Sequence, residues 1–203
     1  AIFSKQGGDT AAPIRVGVIG LGVGTLAGYA RAGDVYRFYD INPAVLEIAR
    51  RDFTFLADSP AKVELVLRDA RLALEAEAPQ NFDVLAVDAF SSDSIPVHLI
   101  TKEALDVYLR HLKPDGIVAF HVSNRFLRLG PVVARLAKEL GVHTVNVYEK
   151  GDEEKTQSDW VLVSRDPRAL EHAQIKAVSE AVEEEPTWRL WTDDYNNLVQ
   201  VLK

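Results

Sequence analysis

The sequence contains no cysteine and no methionine. The absence of cysteine excludes disulfide bonds, zinc–thiolate centres and cysteine nucleophiles from this chain. No apolar run approaches the roughly 18 residues that a membrane-spanning helix needs, and the first thirteen residues carry no signal-peptide pattern. Because methionine is missing even at the first position, we expect the chain to be a piece of a longer protein. The lack of cysteine fits a reducing compartment, and we expect a cytoplasmic location.

The composition is that of a globular domain with an acidic surface. Among 203 residues, 47% are hydrophobic and 26% are charged, which is typical of a soluble protein with a substantial core. The formal net charge of −7 argues against a nucleic-acid-binding surface and is compatible with a cationic substrate. We predict a flexible N-terminal tail at 1–13, followed by one domain at 14–203.

Short apolar segments alternate with segments of helical spacing along the chain. The segments typical of strands are 14–20, 35–40, 63–67, 82–87, 116–123, 142–148 and 159–165. Helices are predicted at about 24–32, at 42–53 with Asn42 as the N-cap, and at 69–77, 101–112, 131–140 and 167–185. Near-continuous Val, Ile and Leu strands followed by helices predict a doubly wound, mostly parallel, Rossmann-like α/β sheet with helices on both faces.

Ligands of such sheets bind beyond the carboxyl ends of the strands, where a glycine-rich turn follows the first predicted strand. Gly20, Gly22 and Gly24 give a GxGxG spacing, and we expect them to admit a ligand close to the backbone at a helix N-terminus. Asp40 ends the second strand, twenty positions after Gly20. A carboxylate there can accept hydrogen bonds from ribose hydroxyls. Alternatively, Asp40 caps the helix that starts at Pro43.

Two further strands also end at carboxylates. Asp69, followed by Ala70, could accept a hydrogen bond from an adenine amino group, or it could cap the helix that begins at Ala70. Asp88 ends the fourth strand, which we expect to lie beside the first, and Asp93 lies on the loop after it. These two carboxylates can hold or deprotonate an ammonium or hydroxyl nucleophile. For Asp93, local turn chemistry with the neighbouring serines is the alternative.

The C-terminal stretch WTDDYNNL offers another group of polar residues. Asp193, Asp194 and Tyr195 could close over the pocket and bind a cationic acceptor. Equally, Trp188 and Trp191 could anchor this stretch to the core. The sequence favours neither alternative.

The other polar residues do not indicate a metal site or a serine hydrolase. The five histidines show no metal-binding spacing, so we expect no metal. We interpret the single residues His98 and His121 as structural. The sequence lacks a GxSxG elbow, which argues against a serine hydrolase.

Several stretches together resemble the spermidine synthase family of aminopropyltransferases. They are GLGVGTLA, FYDINP, VDAFSSDSIPVHLIT, HLKPDGIVAFHVSN and WTDDYNNL. The resemblance extends from about Ile14 to the C-terminus. It is strongest to the spermidine synthase-like domain that is fused behind multi-spanning membrane segments in bacterial proteins. The wider fold is that of class I S-adenosylmethionine-dependent methyltransferases.

The resemblance implies transfer of an aminopropyl group from decarboxylated S-adenosylmethionine to a diamine such as putrescine. It implies that Asp88 is the catalytic aspartate and that Asp93 holds the diamine. It further implies that Asp40 binds the ribose and Asp69 the adenine of the donor. A homodimer is also a family-level expectation.

Two other functions stay open. Val23 stands where typical synthases carry an aspartate for the donor's amino group, which leaves S-adenosylmethionine and methyl transfer as an alternative. However, Val18 stands where methyltransferases usually carry an acid. A non-catalytic, nucleoside-binding domain of a larger membrane protein is the third hypothesis.

Overall fold

The computed structural model describes residues 12–89, 96–149 and 158–203, and these parts contain one eight-stranded sheet. The spatial order of the strands is β3-β2-β1-β4-β5-β7-β6-β8. Their bounds are β1 Arg15–Ile19, β2 Val35–Asp40, β3 Lys62–Leu67, β4 Phe82–Val87, β5 Leu112–His121, β6 His143–Glu149, β7 Ser158–Ser164 and β8 Ser179–Glu180.

The strand directions confirm the mostly parallel, doubly wound sheet. The pairs among β3, β2, β1, β4 and β5 are parallel. The pairs β5–β7, β6–β7 and β6–β8 are antiparallel. As expected, β4 lies directly beside β1, so the carboxyl ends of the two strands meet at one edge of the sheet.

Helices cover both faces of the sheet. Their bounds are α1 Pro43–Asp52, α2 Ala70–Ala76, α3 Lys102–Arg110, α4 Gly130–Glu139, α5 Pro167–Leu170 and α6 Ala173–Lys176, with 3-10 turns at Thr25–Tyr29, Val97–Leu99 and Val199–Val201. The largest core cluster includes buried side chains of α2, α3 and α4, and a second cluster includes Ala49 of α1. All six residues of β4 are buried, and five of them are apolar; Asp83 is the exception.

The predicted helix at 24–32 is wrong. Only a five-residue 3-10 turn, Thr25–Tyr29, follows the glycine-rich turn. Gly28 lies inside this segment, and glycine costs an α-helix about 1 kcal/mol relative to alanine. No long helix therefore follows the glycine-rich turn. The helix N-terminus that we expected to contribute to the ligand site is absent at this position.

The predicted surface helix at 167–185 is also wrong. Two four-residue helices, α5 and α6, and the short strand β8 replace it. Leu170 and Ile175 are both buried, yet residues five apart lie about 140° apart around an α-helix. One continuous helix would turn one of the two side chains away from the core, so the chain breaks between them.

The fifth strand begins earlier than the predicted 116–123. It runs from Leu112 to His121 through the KPDG stretch, with a register shift against β4 between Phe82 and Val84. Of the predicted tail, only Ala12 and Pro13 fall within the described residues. None of the helices in the described parts is long and apolar enough to cross a membrane.

Candidate active site

The glycine-rich turn packs directly against the end of β4. Gly20 has a φ of +95°, and a Cβ atom on it would lie 2.4 Å from the carbonyl oxygen of Asp88. The Asp88 N–H donates to the Ile19 carbonyl at 2.8 Å, which continues the β1–β4 pairing to this point. Only glycine fits a position this close to neighbouring backbone, so the turn and Asp88 form one edge of the site.

Asp40 holds the glycine-rich turn from the other side. Its Oδ2 accepts a hydrogen bond from the Leu21 N–H at 3.0 Å, and its Oδ1 accepts from the Asn42 N–H at 2.8 Å. The side chain that caps α1 is that of Asn42, which accepts from the Ala44 N–H at 3.0 Å. Asp40 is therefore not the helix cap, and each of its carboxylate oxygens can accept one more hydrogen bond.

Asp69 does cap a helix. Its Oδ1 accepts from the Leu72 N–H at 2.9 Å at the start of α2. Its Oδ2 lies 3.0 Å from His98 Nε2. Both oxygens therefore have partners within the protein, and an adenine amino group would share Oδ2 with His98 or displace it.

Asp88 has a partner that the sequence analysis did not predict. Its Oδ1 lies 2.8 Å from His121 Nδ1, and His121 Nε2 lies 2.8 Å from Ser123 Oγ. The ring of His121 also stacks on Trp160, with 4.6 Å between centroids. A usable signal was present: β4 and β5 are neighbouring parallel strands, so Asp88 and His121, which lie at their carboxyl ends, are placed side by side.

Asp93, the predicted second acid of this loop, lies outside the described residues. Within the described parts, no group of three or more His, Asp and Glu side chains is arranged to hold a metal ion.

The C-terminal stretch WTDDYNNL, residues 191–198 and called the C-terminal tail below, is bound to α2 by an ion pair. Arg71 Nη1 donates to Asp193 Oδ1 at 2.6 Å, and Arg71 Nη2 donates to Asp193 Oδ2. The Thr101 hydroxyl also donates to Asp193 Oδ1, at 2.8 Å, and Trp191 is buried in the core. The charge of Asp193 is thus balanced within the protein, which favours the anchoring alternative for this residue.

The other two residues of this group are Asp194 and Tyr195, and Tyr195 is half-buried. Asp194 is exposed, and the guanidinium of Arg189 lies 3.8 Å from the centroid of the Tyr195 ring. A substrate-binding role for Asp194 and Tyr195 stays a prediction.

We expect the substitution Asp193→Asn to lower the free energy of unfolding by about 1–3 kcal/mol, because Arg71, whose side chain is 11% exposed, loses its two-point ionic partner and keeps only Glu75. The Arg71 guanidinium holds the pKa of Asp193 below its ordinary value. The stabilisation is therefore present above the unfolded-state pKa of about 4 and is lost as the pH falls through the lower folded-state pKa. Urea unfolding at neutral and acidic pH measures both effects.

The matched control is Asp194→Asn, which removes the exposed neighbouring carboxylate. We expect it to change the free energy of unfolding by no more than about 0.5 kcal/mol. Equal losses for the two variants would contradict the anchoring role of Asp193.

No protein-family model matches the chain. The chain is 31% identical over 121 residues to the polyamine aminopropyltransferase of Vibrio vulnificus, which covers 56% of this chain and 38% of that protein. It is 30% identical over 110 residues to a probable polyamine aminopropyl transferase of Bifidobacterium longum, covering 52% and 23%. A spermidine synthase in complex with the transition-state analogue AdoDATO superposes with a TM-score of 0.63 at 18% identity, covering 85% of this chain and 63% of that chain. The chain resembles polyamine aminopropyltransferases in sequence and has the fold of spermidine synthases.

The same fold is shared with methyltransferases. Human methyltransferase-like protein 13 in complex with SAH superposes with a TM-score of 0.60 at 20% identity, covering 91% of this chain and 87% of that chain. At such identities the superpositions establish the fold alone. The chain spans less than two-fifths of the length of the two curated relatives.

Proposed function

We propose that this chain is a spermidine synthase-like transferase that moves an aminopropyl group from decarboxylated S-adenosylmethionine to a polyamine-type amine. The observation that carries the proposal is the position of Asp88, whose backbone contacts the glycine-rich turn and whose side chain is 34% exposed. The base for the acceptor and the cradle for the donor thus meet at one sheet edge. The sequence similarity to polyamine aminopropyltransferases supports this reading.

The residues at this edge fit an adenosyl donor. A Cβ on Gly22 would meet nothing within 4 Å, so the turn has open space beside its backbone, and Asp40 retains acceptor capacity for ribose hydroxyls. Ile41, Leu67 and Leu72, at the ends of β2 and β3 and the start of α2, are 70%, 52% and 54% exposed. Such exposed apolar side chains offer a surface that a purine base could cover. We place the adenine beside them, near Asp69 and Ala70.

The reaction requires the protein mainly to align the amine with the donor and to accept one proton. The amine nitrogen attacks the propyl carbon next to the sulfonium sulfur, the carbon–sulfur bond breaks, and its electron pair leaves with methylthioadenosine. Asp88 takes the proton that the amine gives up. Asp93 is the second acid that we propose for the acceptor, and holding the amine in line with the donor supplies much of the rate enhancement.

Methyl transfer from S-adenosylmethionine is the second candidate. Val23 favours it, because the described part of the glycine-rich turn has no carboxylate at that position for the amino group of a decarboxylated donor. Attachment to a membrane segment and a homodimer remain predictions from the resemblance, and a cytoplasmic location remains a prediction from the lack of cysteine.

Isothermal titration calorimetry separates these functions. We expect decarboxylated S-adenosylmethionine to bind at least about tenfold more tightly than S-adenosylmethionine, a difference of about 1.4 kcal/mol. The control ligand is methylthioadenosine, which carries the nucleoside without the transferred group.

The opposite preference would contradict aminopropyl transfer and favour methyl transfer. Binding of the decarboxylated donor without turnover on putrescine and longer diamines would favour the non-catalytic domain. Binding of none of the three ligands would contradict the donor site itself.

A further inference from the structure

The side chain of His121 is held on three sides at the carboxyl end of β5. Nδ1 faces Asp88 Oδ1 and Nε2 faces Ser123 Oγ, each at 2.8 Å. Trp160, which lies opposite His121 in the β5–β7 register, stacks on one face of the ring at an interplanar angle of 18°. The imidazole is therefore fixed in position and in rotation before any substrate binds.

The hydrogen bonds around this ring also select one tautomer. Ser123 Oγ accepts the Asp159 N–H at 2.7 Å and has a single hydrogen of its own to donate. An ionised Asp88 accepts hydrogen bonds and donates none, so Nδ1 must carry the ring proton. Nε2 of the neutral ring is then an acceptor, and it takes the Ser123 hydrogen. Each hydrogen bond in this chain thus has one donor and one acceptor: the Asp159 N–H donates to Ser123, Ser123 to His121, and His121 to Asp88.

Among the described residues, His121 is the partner of one Asp88 oxygen, Oδ1, and the other oxygen, Oδ2, has none. A carboxylate pinned through one oxygen cannot rotate freely about its terminal torsion, so Oδ2 keeps a constant direction. That is the requirement for a base that must meet an amine in line with a fixed donor carbon.

We propose that His121 is a positioning residue for Asp88, and that Ser123 acts through it by fixing its tautomer. This inference rests on the proposed function, in which Asp88 is the base. In this role His121 forms no covalent intermediate and takes up no proton during the reaction. The same residue types form the nucleophilic triad of serine hydrolases. In this chain, however, Ser123 Oγ is already bound by the Asp159 N–H, which suits a structural relay rather than a nucleophile.

Two substitutions that each mimic one ring nitrogen test the proposal. The amide nitrogen of asparagine can reach the position of Nδ1, so His121→Asn keeps a donor for Asp88. The amide of glutamine reaches the position of Nε2 instead, so His121→Gln keeps the Ser123 side and loses the donor to Asp88. We expect His121→Gln to lower kcat for aminopropyl transfer about 100-fold, the scale of a 1 Å misplacement in an active site. His121→Asn should recover most of that loss.

The KM for the amine and the Kd for the donor should change little in either variant, because neither substrate contacts His121 in this role. A merely structural histidine would give equal kcat losses, or equal retention, for the two variants, and either result would overturn the proposal. Covalent labelling of Ser123 by a fluorophosphonate would overturn it as well.

A second measurement does not depend on turnover. Nitrogen-15 NMR of the histidine rings in the wild-type protein should show His121 protonated at Nδ1 and unprotonated at Nε2. The opposite tautomer would overturn the proposal even in an active enzyme. If no amine is turned over but the Nδ1–H tautomer is found, the proposed function fails while the positioning of Asp88 by His121 stands.

Discussion

Replacing Asp88 with asparagine is expected to lower the turnover of the decarboxylated donor with putrescine by about 10²- to 10⁴-fold, the contribution of a general base. Donor binding should persist, because the groups assigned to the donor lie on the glycine-rich turn and at Asp40. Methylthioadenosine release, followed by chromatography, measures the reaction. Calorimetry with the decarboxylated donor measures binding.

The substitution is a clean test because asparagine preserves the surrounding geometry. Its side-chain carbonyl oxygen can still accept the hydrogen bond from His121 Nδ1, so Asp88→Asn removes the basic carboxylate without removing that contact. The backbone N–H of residue 88 still donates to Ile19. A loss of activity would therefore report the chemistry of the carboxylate rather than a collapse of the site.

The matched control is Asp106→Asn on the exposed side of α3, which removes the same charge away from the site. We expect it to leave both turnover and donor binding unchanged. Turnover by Asp88→Asn at the level of this control would show that Asp88 is not the base. Loss of donor binding in Asp88→Asn would instead place Asp88 in the donor site.

The position of the candidate site was predictable from sequence because it follows from topology. The apolar run of β4, interrupted only by Asp83, indicates a central, doubly covered strand, and such a strand lies beside β1 in a doubly wound sheet. Asp40 and Asp88 then meet the glycine-rich turn at one edge without any knowledge of side-chain packing. The parallel order of β1 to β5 carries this prediction.

The side-chain partners were harder to predict, although the neighbouring carboxyl ends of β4 and β5 indicated His121 as a partner of Asp88. His121 was interpreted as structural because one histidine in a sequence carries no spacing signal, whereas its contact with Asp88 depends on the register of β4 against β5. The ion pair of Arg71 with Asp193 joins residues 122 apart in the sequence. No local sequence pattern encodes a contact of that range, so only the folded structure reveals that Asp193 is paired with Arg71.

The failed helix predictions have a different cause. The segment at 167–185 has the composition of a helix, but burial of both Leu170 and Ile175 against the sheet outweighs local propensity. At 24–32, Gly28 weakens an α-helix that the alternating pattern of the fold would otherwise predict. Tertiary packing and one residue's backbone preference decide these cases.

Among the described glycines, Gly20 is the one at which a single methyl group should be most destabilising. An alanine Cβ there would lie 2.4 Å from the Asp88 carbonyl oxygen and 2.9 Å from its carbonyl carbon, and backbone at this depth cannot move aside easily. The positive φ adds about 1–2 kcal/mol, and overpacking adds about 1–3 kcal/mol. We therefore expect Gly20→Ala to lower the free energy of unfolding by about 2–5 kcal/mol and to displace Asp88 from the turn.

Substitutions at two other glycines serve as controls that measure the backbone strain without the steric clash with Asp88. Gly22 and Gly141 have φ values of +53° and +66°, and an added Cβ would meet nothing within 4 Å at either position. Gly22→Ala and Gly141→Ala should each lose only the backbone contribution of about 1–2 kcal/mol. Because Gly22 faces the proposed donor and Gly141 lies after α4, Gly22→Ala alone of these two should weaken donor binding. Urea unfolding and calorimetry on the three variants measure both effects, and a Gly20→Ala variant as stable as Gly141→Ala would show that the turn does not close against Asp88.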